Sequence, residues 1–148
     1  MAFNLSSPAF TEGGPIPKDY TCDGADQTLP VAWSGVPEGT AELALIMDDP
    51  DARGFVHWVV VGIPPTAMGI EGDGTLPAGA RLGMTGFRKA AYGGPCPPSG
   101  SHRYQLTLYA LSSPLSLGPT PTADEVRQAS SSHTLATATL NGSYRRGG

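Results

Sequence analysis

The chain has 148 residues and a formal net charge of −4, a size that fits a single domain over residues 1–148 with one core. Its nine basic residues are scattered, with only short pairs at Arg88–Lys89 and Arg145–Arg146, which argues against nucleic acid as a partner. No apolar run is long enough for a transmembrane segment, and the opening MAFNLSSPAFTEGG lacks the charged-then-apolar pattern of an export leader, so the expected setting is cytoplasmic.

Gly 20 and Pro 15 make up nearly a quarter of the chain and only 15% is charged, a composition that favours turns and short strands over long helices. Strand character appears in AFNL near the start, LPVAW at 29–33, AELALIM at 41–47, FVHWVVVGI at 55–63 and HRYQLTLYAL at 102–111. Strands at this spacing suggest a sandwich or barrel. FVHWVVVGI is apolar on both faces, as in a strand covered on both sides. From residue 102 the alternation puts Tyr104, Leu106, Leu108 and Ala110 on one face, with Arg103, Gln105, Thr107 and Tyr109 on the other. By parity His102 points with the leucines.

Residues 64–93 read as a long Gly/Pro loop with no assignable element, a length that usually signals function or ordering by packing. One helix is expected in TADEVRQA after PTP, with Thr122 as N-cap and Glu125 completing a capping box. The closing TLATATLNGSY favours a final strand over an extension of that helix. Cys22 and Cys96 are compatible with one disulfide, two free thiols or half of a metal site. A cytosolic setting favours free thiols, and neither cysteine has the CxxC spacing of a zinc site.

Three polar clusters lie at the ends of strong strands. In MDDPDARG, Asp49 and Asp51 point the same way if the chain stays extended past Pro50; an Asp–Pro turn with its acids in water is the competing reading. His57 sits in the most hydrophobic strand and is either a satisfied core imidazole or a site residue. A hairpin of strands 41–47 and 55–63 would bring Asp49 and His57 to one rim. The third cluster is GPCPPSGSHRY, whose prolines stiffen a ramp that delivers His102 and then Tyr104 to the core-facing side. Such a ramp serves as a pocket wall or as an ordinary rigid turn.

Taken together, SPAFTEGGPIPKDYTCDGADQTLPVAWSGVP, LALIMDDPDA, FVHWVVVGIPP, AYGGPCPPSGSHRYQLTLYAL and HTLATATLNGSYRR resemble the phosphatidylethanolamine-binding protein family almost end to end. The likeness is to its bacterial and archaeal branch, often labelled Raf kinase inhibitor-like. DPD followed by HW, together with GPCPPSGSHRY, is specific in combination. The resemblance implies an all-β fold with a minor helix: two antiparallel sheets in a Greek-key β-sandwich. It also implies a small pocket for phosphate, phosphorylethanolamine or a similar anionic headgroup, lined by Asp49, Asp51, His57, Pro97, Pro98, His102 and Tyr104. Eukaryotic members carry a further C-terminal helix over the pocket, so a chain stopping at Gly148 suggests a more open mouth. Arg53 stands where the family usually has proline, in a shortened rim loop. It is either a forked donor to the anion or an exposed turn residue.

In such a pocket His57 and His102 would supply the charge that reconciles carboxylates with a bound anion, and ramp N–H groups would form further donors. Anion affinity is then expected to fall as pH rises through the imidazole range. No cofactor and no metal is expected. The family resemblance further implies a regulatory or inhibitor role toward a protein partner, a kinase or protease, and makes a homodimer an expectation to test. The alternative is a hydrolase or metal-dependent enzyme built on Asp49, His57 and His102. Ser99 and Ser101 lie near His102, but no GxSxG elbow is present and adjacent loop residues rarely reach triad geometry. A binding and regulatory protein is preferred to an enzyme.

Overall fold

The computed structural model describes residues 2–146. Strands β1 (Asn4–Ser6), β2 (Val31–Ser34) and β5 (Gly69–Ile70) form a small antiparallel sheet in the order β1-β2-β5. The larger antiparallel sheet, ordered β6-β4-β3-β7-β8, contains β3 (Glu42–Asp49), β4 (Phe55–Ile63), β6 (Arg81–Leu82), β7 (Ser101–Leu111) and β8 (Thr134–Arg145). Three successive strands of this sheet, β3, β4 and β6, lie side by side, and β7 returns by a long connection to lie against the first. That arrangement is a Greek key.

Two apolar layers explain the patterning. The sandwich core joins Leu5, Trp33 and Ile70 of the small sheet to Leu45, Met47, Trp58, Leu106 and Leu108 of the large one. The opposite face of the large sheet buries Ala44, Ile46, Val59 and Val61 under Val126 of helix α1 (Ala123–Ser130). Strands β3 and β4 are therefore apolar on both sides, as read from the sequence for β4. The helix starts where expected: the Thr122 hydroxyl accepts from Glu125 N at 3.2 Å while Thr122 N donates to Glu125 Oε1 at 2.9 Å. Arg127 on the helix reaches Asp48 Oδ2 at 2.7 Å, tying α1 to the end of β3.

Residues 134–145 form a strand, paired with β7 along nearly its whole length. Its buried side is Ala138, Leu140 and Gly142, and Leu135 faces solvent. Within 64–93 the chain contributes the two-residue strands β5 and β6. Cys22 and Cys96 are joined by a disulfide, with Cα atoms 5.4 Å apart, and are not the free thiols favoured from sequence. Packing brings the two segments together across 74 positions of sequence, a proximity that spacing does not carry.

Candidate functional site

The site begins where β3 ends. Pro50 cannot continue the ladder, and the chain turns into a 3-10 helix over Pro50–Ala52. Asp49 caps that turn, its Oδ1 accepting from Asp51 N at 2.9 Å. The chain therefore does not stay extended, and the two acids diverge. Asp49 is buried, 3% exposed, and its Oδ2 accepts from His102 Nδ1 at 2.6 Å. Asp51 turns outward, where its carboxylate accepts from the Arg103 main-chain N at 2.7 Å and from its guanidinium at 3.2–3.3 Å. These bonds to Arg103 hold the Asp51 carboxyl below the usual range. Arg53 follows in a left-handed conformation, φ 57°, and is an exposed turn residue.

His57 owes its direction to a β-bulge. Asp48 pairs with Val56 and Met47 with Trp58, so His57 is the extra residue between adjacent pairs. Bulges re-aim a side chain in this way. The ring turns to the sandwich side, edge-on to Tyr104 at 5.3 Å between centroids. Its Nδ1 donates to the Gly93 carbonyl at 2.7 Å, and Gly93 N returns a bond to the His57 carbonyl at 2.9 Å. Burial pushes the His57 imidazole below its ordinary range, outweighing the Gly93 carbonyl and the charge of Asp49. His57 Nδ1 is thus committed to the Gly93 carbonyl, and burial favours the neutral form of its ring.

The ramp is anchored at its start. Gly93 N is taken by His57, and Gly94 N donates to Asp26 Oδ1 at 2.8 Å. Tyr92 Oη donates to the Tyr20 carbonyl at 2.9 Å, Cys22 N to the Pro95 carbonyl at 3.1 Å, and the disulfide fixes Cys96. Tyr104 is wholly buried, and its hydroxyl has no hydrogen-bond partner among the described residues. Burial raises its phenol above the ordinary range, and the charge of Asp49 adds to that.

These groups surround a cavity of about 190 Å³. Of the residues expected at the site, Asp49, His57, Pro97, Pro98, His102 and Tyr104 line it, and Asp51 does not. Four further residues complete the lining: Ala52, Phe55, Phe87 and Cys96. Phe55 shares β4 with His57 and packs edge-on against it, a neighbour that local spacing suggests. Phe87 comes from the unassigned loop, and only tertiary packing brings it in. Glycine admits both rings, because a Cβ at Gly93 would overlap Phe87 and one at Gly86 would crowd Phe55.

Neither Lys nor Arg lines the cavity, and neither does Ser99 or Ser101. Among the described residues no group of three or more His, Cys, Asp or Glu is placed to hold a metal ion. The arrangement offers one carboxylate–imidazole pair, one neutral imidazole, one orphan hydroxyl and an apolar rim. Chemically that set can both donate and accept hydrogen bonds.

Residues 6–145 match the phosphatidylethanolamine-binding protein family. A UPF0098 protein of Methanothermobacter thermautotrophicus is 45% identical over 150 residues, which cover 97% of this chain and 99% of the relative. A protein named as a lipoprotein, LppC, of Mycobacterium tuberculosis is 42% identical over 144 residues, 95% of this chain and 71% of its own length. Among solved structures, a phosphatidylethanolamine-binding protein homologue from Chlamydia trachomatis superposes with a TM-score of 0.92 at 34% identity, covering 98% of both chains. YbcL of Escherichia coli gives 0.88 at 31% identity, covering 98% of this chain and 99% of its own. A match that runs through nearly every element, with relatives alike in length and fold, means that this chain belongs to the phosphatidylethanolamine-binding protein family.

Proposed function

We propose that the cavity binds a small oxyanion headgroup, phosphate or phosphorylethanolamine in class, and that the protein acts by binding and not by turnover. One observation carries this reading: the hydrogen-bonded Asp49–His102 pair and Tyr104, whose hydroxyl is unpartnered among the described residues, line one cavity that opens to the surface. His102 donates from Nδ1 to Asp49, which leaves its second nitrogen to donate to an anion once the ring is protonated. Asp49 balances that charge, so the loaded site holds one net negative charge supplied by the ligand. A regulatory role toward a protein partner, a kinase or protease, follows the same logic, the partner reading the rim at Pro98 and Phe87.

The hydrolase reading loses ground because Ser99 and Ser101 are exposed and away from the cavity. As for setting, the disulfide supports an oxidising compartment over the cytoplasm. The relative named as a lipoprotein points the same way.

The test is isothermal calorimetry with phosphate and with phosphorylethanolamine at pH 6, on the wild type and on His102→Ala. The reading expects saturable binding that drops at least about tenfold in the variant, as for loss of a charge-assisted hydrogen bond. Binding of equal strength in His102→Ala would place the anion elsewhere.

A further inference from the structure

We propose that the cavity floor reads a proton on the ligand: His57 Nε2 accepts a hydrogen bond, so the site takes oxyanions that carry P–OH, phosphate and phosphomonoesters, ahead of phosphodiesters. This rests on the anion-binding reading and sharpens it, because an intact phospholipid headgroup is a diester whose two free oxygens only accept.

The inference starts from the tautomer. His57 Nδ1 faces a carbonyl oxygen at 2.7 Å, and a carbonyl can only accept, so Nδ1 carries the proton. The reverse bond from Gly93 N at 2.9 Å closes a two-point clamp, leaving the ring no freedom to exchange its nitrogens. Nε2 is the remaining atom, without a partner among the described residues, on a ring that lines the cavity. A second proton there would place a cation in a site walled by Phe55, Phe87 and Tyr104, and burial opposes it. The neutral ring then presents a lone pair to the ligand.

The groups that face this ring do not reverse the argument: the Gly94 backbone beside Gly93 favours a ring proton, and burial outweighs it. Asp49, from the end of β3, is engaged by His102 of β7 and by Asp51 N. Asp26, from the loop before β2, is engaged by Gly94 N. Lys89 lies over the far ring Phe87 at 5.6 Å. Tyr104 provides the complementary function. Its orphan hydroxyl has Asp49 and the Cys96 backbone as neighbours, both part of the cavity wall, and it donates to an unprotonated phosphoryl oxygen. The floor therefore offers one acceptor and one donor side by side, which fits O=P–OH. A diester or a phosphomonoester dianion, neither of which keeps a P–OH, sets an oxygen lone pair against the His57 lone pair.

Two ligands of equal heavy-atom count separate the cases: ethyl phosphate, which carries P–OH in about half its molecules near pH 6, and dimethyl phosphate, which never does. Calorimetry on the intact oxidised protein at pH 6 is expected to give dimethyl phosphate a Kd at least about tenfold higher, the size of one unsatisfied buried acceptor. Equal or tighter diester binding overturns the proposal and leaves the anion reading standing. Heat from neither compound overturns both. As a measurement independent of ligand, histidine 15N spectra at pH 6 are expected to show His57 protonated at Nδ1 only, and a proton on Nε2 overturns the proposal.

Discussion

Loss of the Cys22–Cys96 bond should be costly in stability and should act on the pocket wall. The cross-link spans a sequence separation of 74 residues, and the chain-entropy relation for a loop of that size gives roughly 4.5 kcal/mol at 25 °C. A domain of this length has about 5–15 kcal/mol in total, so the reduced protein is expected to stay folded with a thin margin. Three hydrogen bonds from Tyr92, Gly94 and Cys22 still hold the first half of the ramp without the sulfur bridge. Cys96 is the last of these anchors before Pro97 and Pro98 pass along the cavity. Cys22 is exposed, which gives a reductant access. Urea unfolding of the oxidised protein, the reduced protein and Cys22→Ala/Cys96→Ala measures the effect as a fall in unfolding free energy, with m rising where the unfolded chain loses its cross-link. Reduced and oxidised unfolding free energies agreeing to within about 1 kcal/mol would refute both the entropic argument and the anchoring role.

Asp49→Asn should weaken phosphate binding at least about tenfold by calorimetry, since it breaks the charged contact with His102, whereas Asp51→Asn should change it by less than about threefold because its partner Arg103 lies outside the cavity. Gly94→Ala should cost about 3 kcal/mol or more in urea unfolding, its Cβ overlapping the Tyr20 carbonyl and the Asp26 carboxylate; Gly100→Ala, with free space around it but φ +66°, should cost only about 1–2 kcal/mol. Burial holds His57 below the usual imidazole value of about 6.5, so the unfolded chain takes up the proton first. Stability from this group is then full above about pH 6.5 and falls on acidification until the folded ring titrates, by at most about 1.4 kcal/mol per pH unit. His57→Gln should flatten unfolding free energy between pH 7.5 and 5.5 relative to the wild type, and an identical slope in both proteins would count against a neutral His57.

The elements legible in the sequence are those whose signal is local. Strands β3, β4 and β7 carry their own apolar pattern, and Thr122 with Glu125 writes the helix start into four residues. Strands β5 and β6 carry no such pattern because they are two residues long and exist only through pairing with Val31–Ala32 and Val60–Val61. The same limit hid the bulge at His57. An extra residue in a strand is defined by its partner's register, and FVHWVVVGI alternates no differently for having one.

The DPD motif illustrates how one motif sends its two acids to different places. Asp49 and Asp51 share a side only if the backbone between them stays extended, and Pro50 ends that possibility by opening a 3-10 turn that Asp49 itself caps. Strand alternation on β7 then completes the separation. His102 and Arg103 are neighbours in sequence, so their side chains leave on opposite faces. His102, turned inward with Tyr104, takes Asp49; Arg103, turned outward, takes Asp51 through its main chain and its guanidinium. Two acids and two bases thus sort into one largely buried pair and one exposed pair. The exposed pair fastens the turn to β7, and the buried pair can serve the cavity because the turn beside it is held. The motif supplies one carboxylate to the cavity lining and one to a surface clamp, and it is the parity of His102 and Arg103 that decides which acid is which.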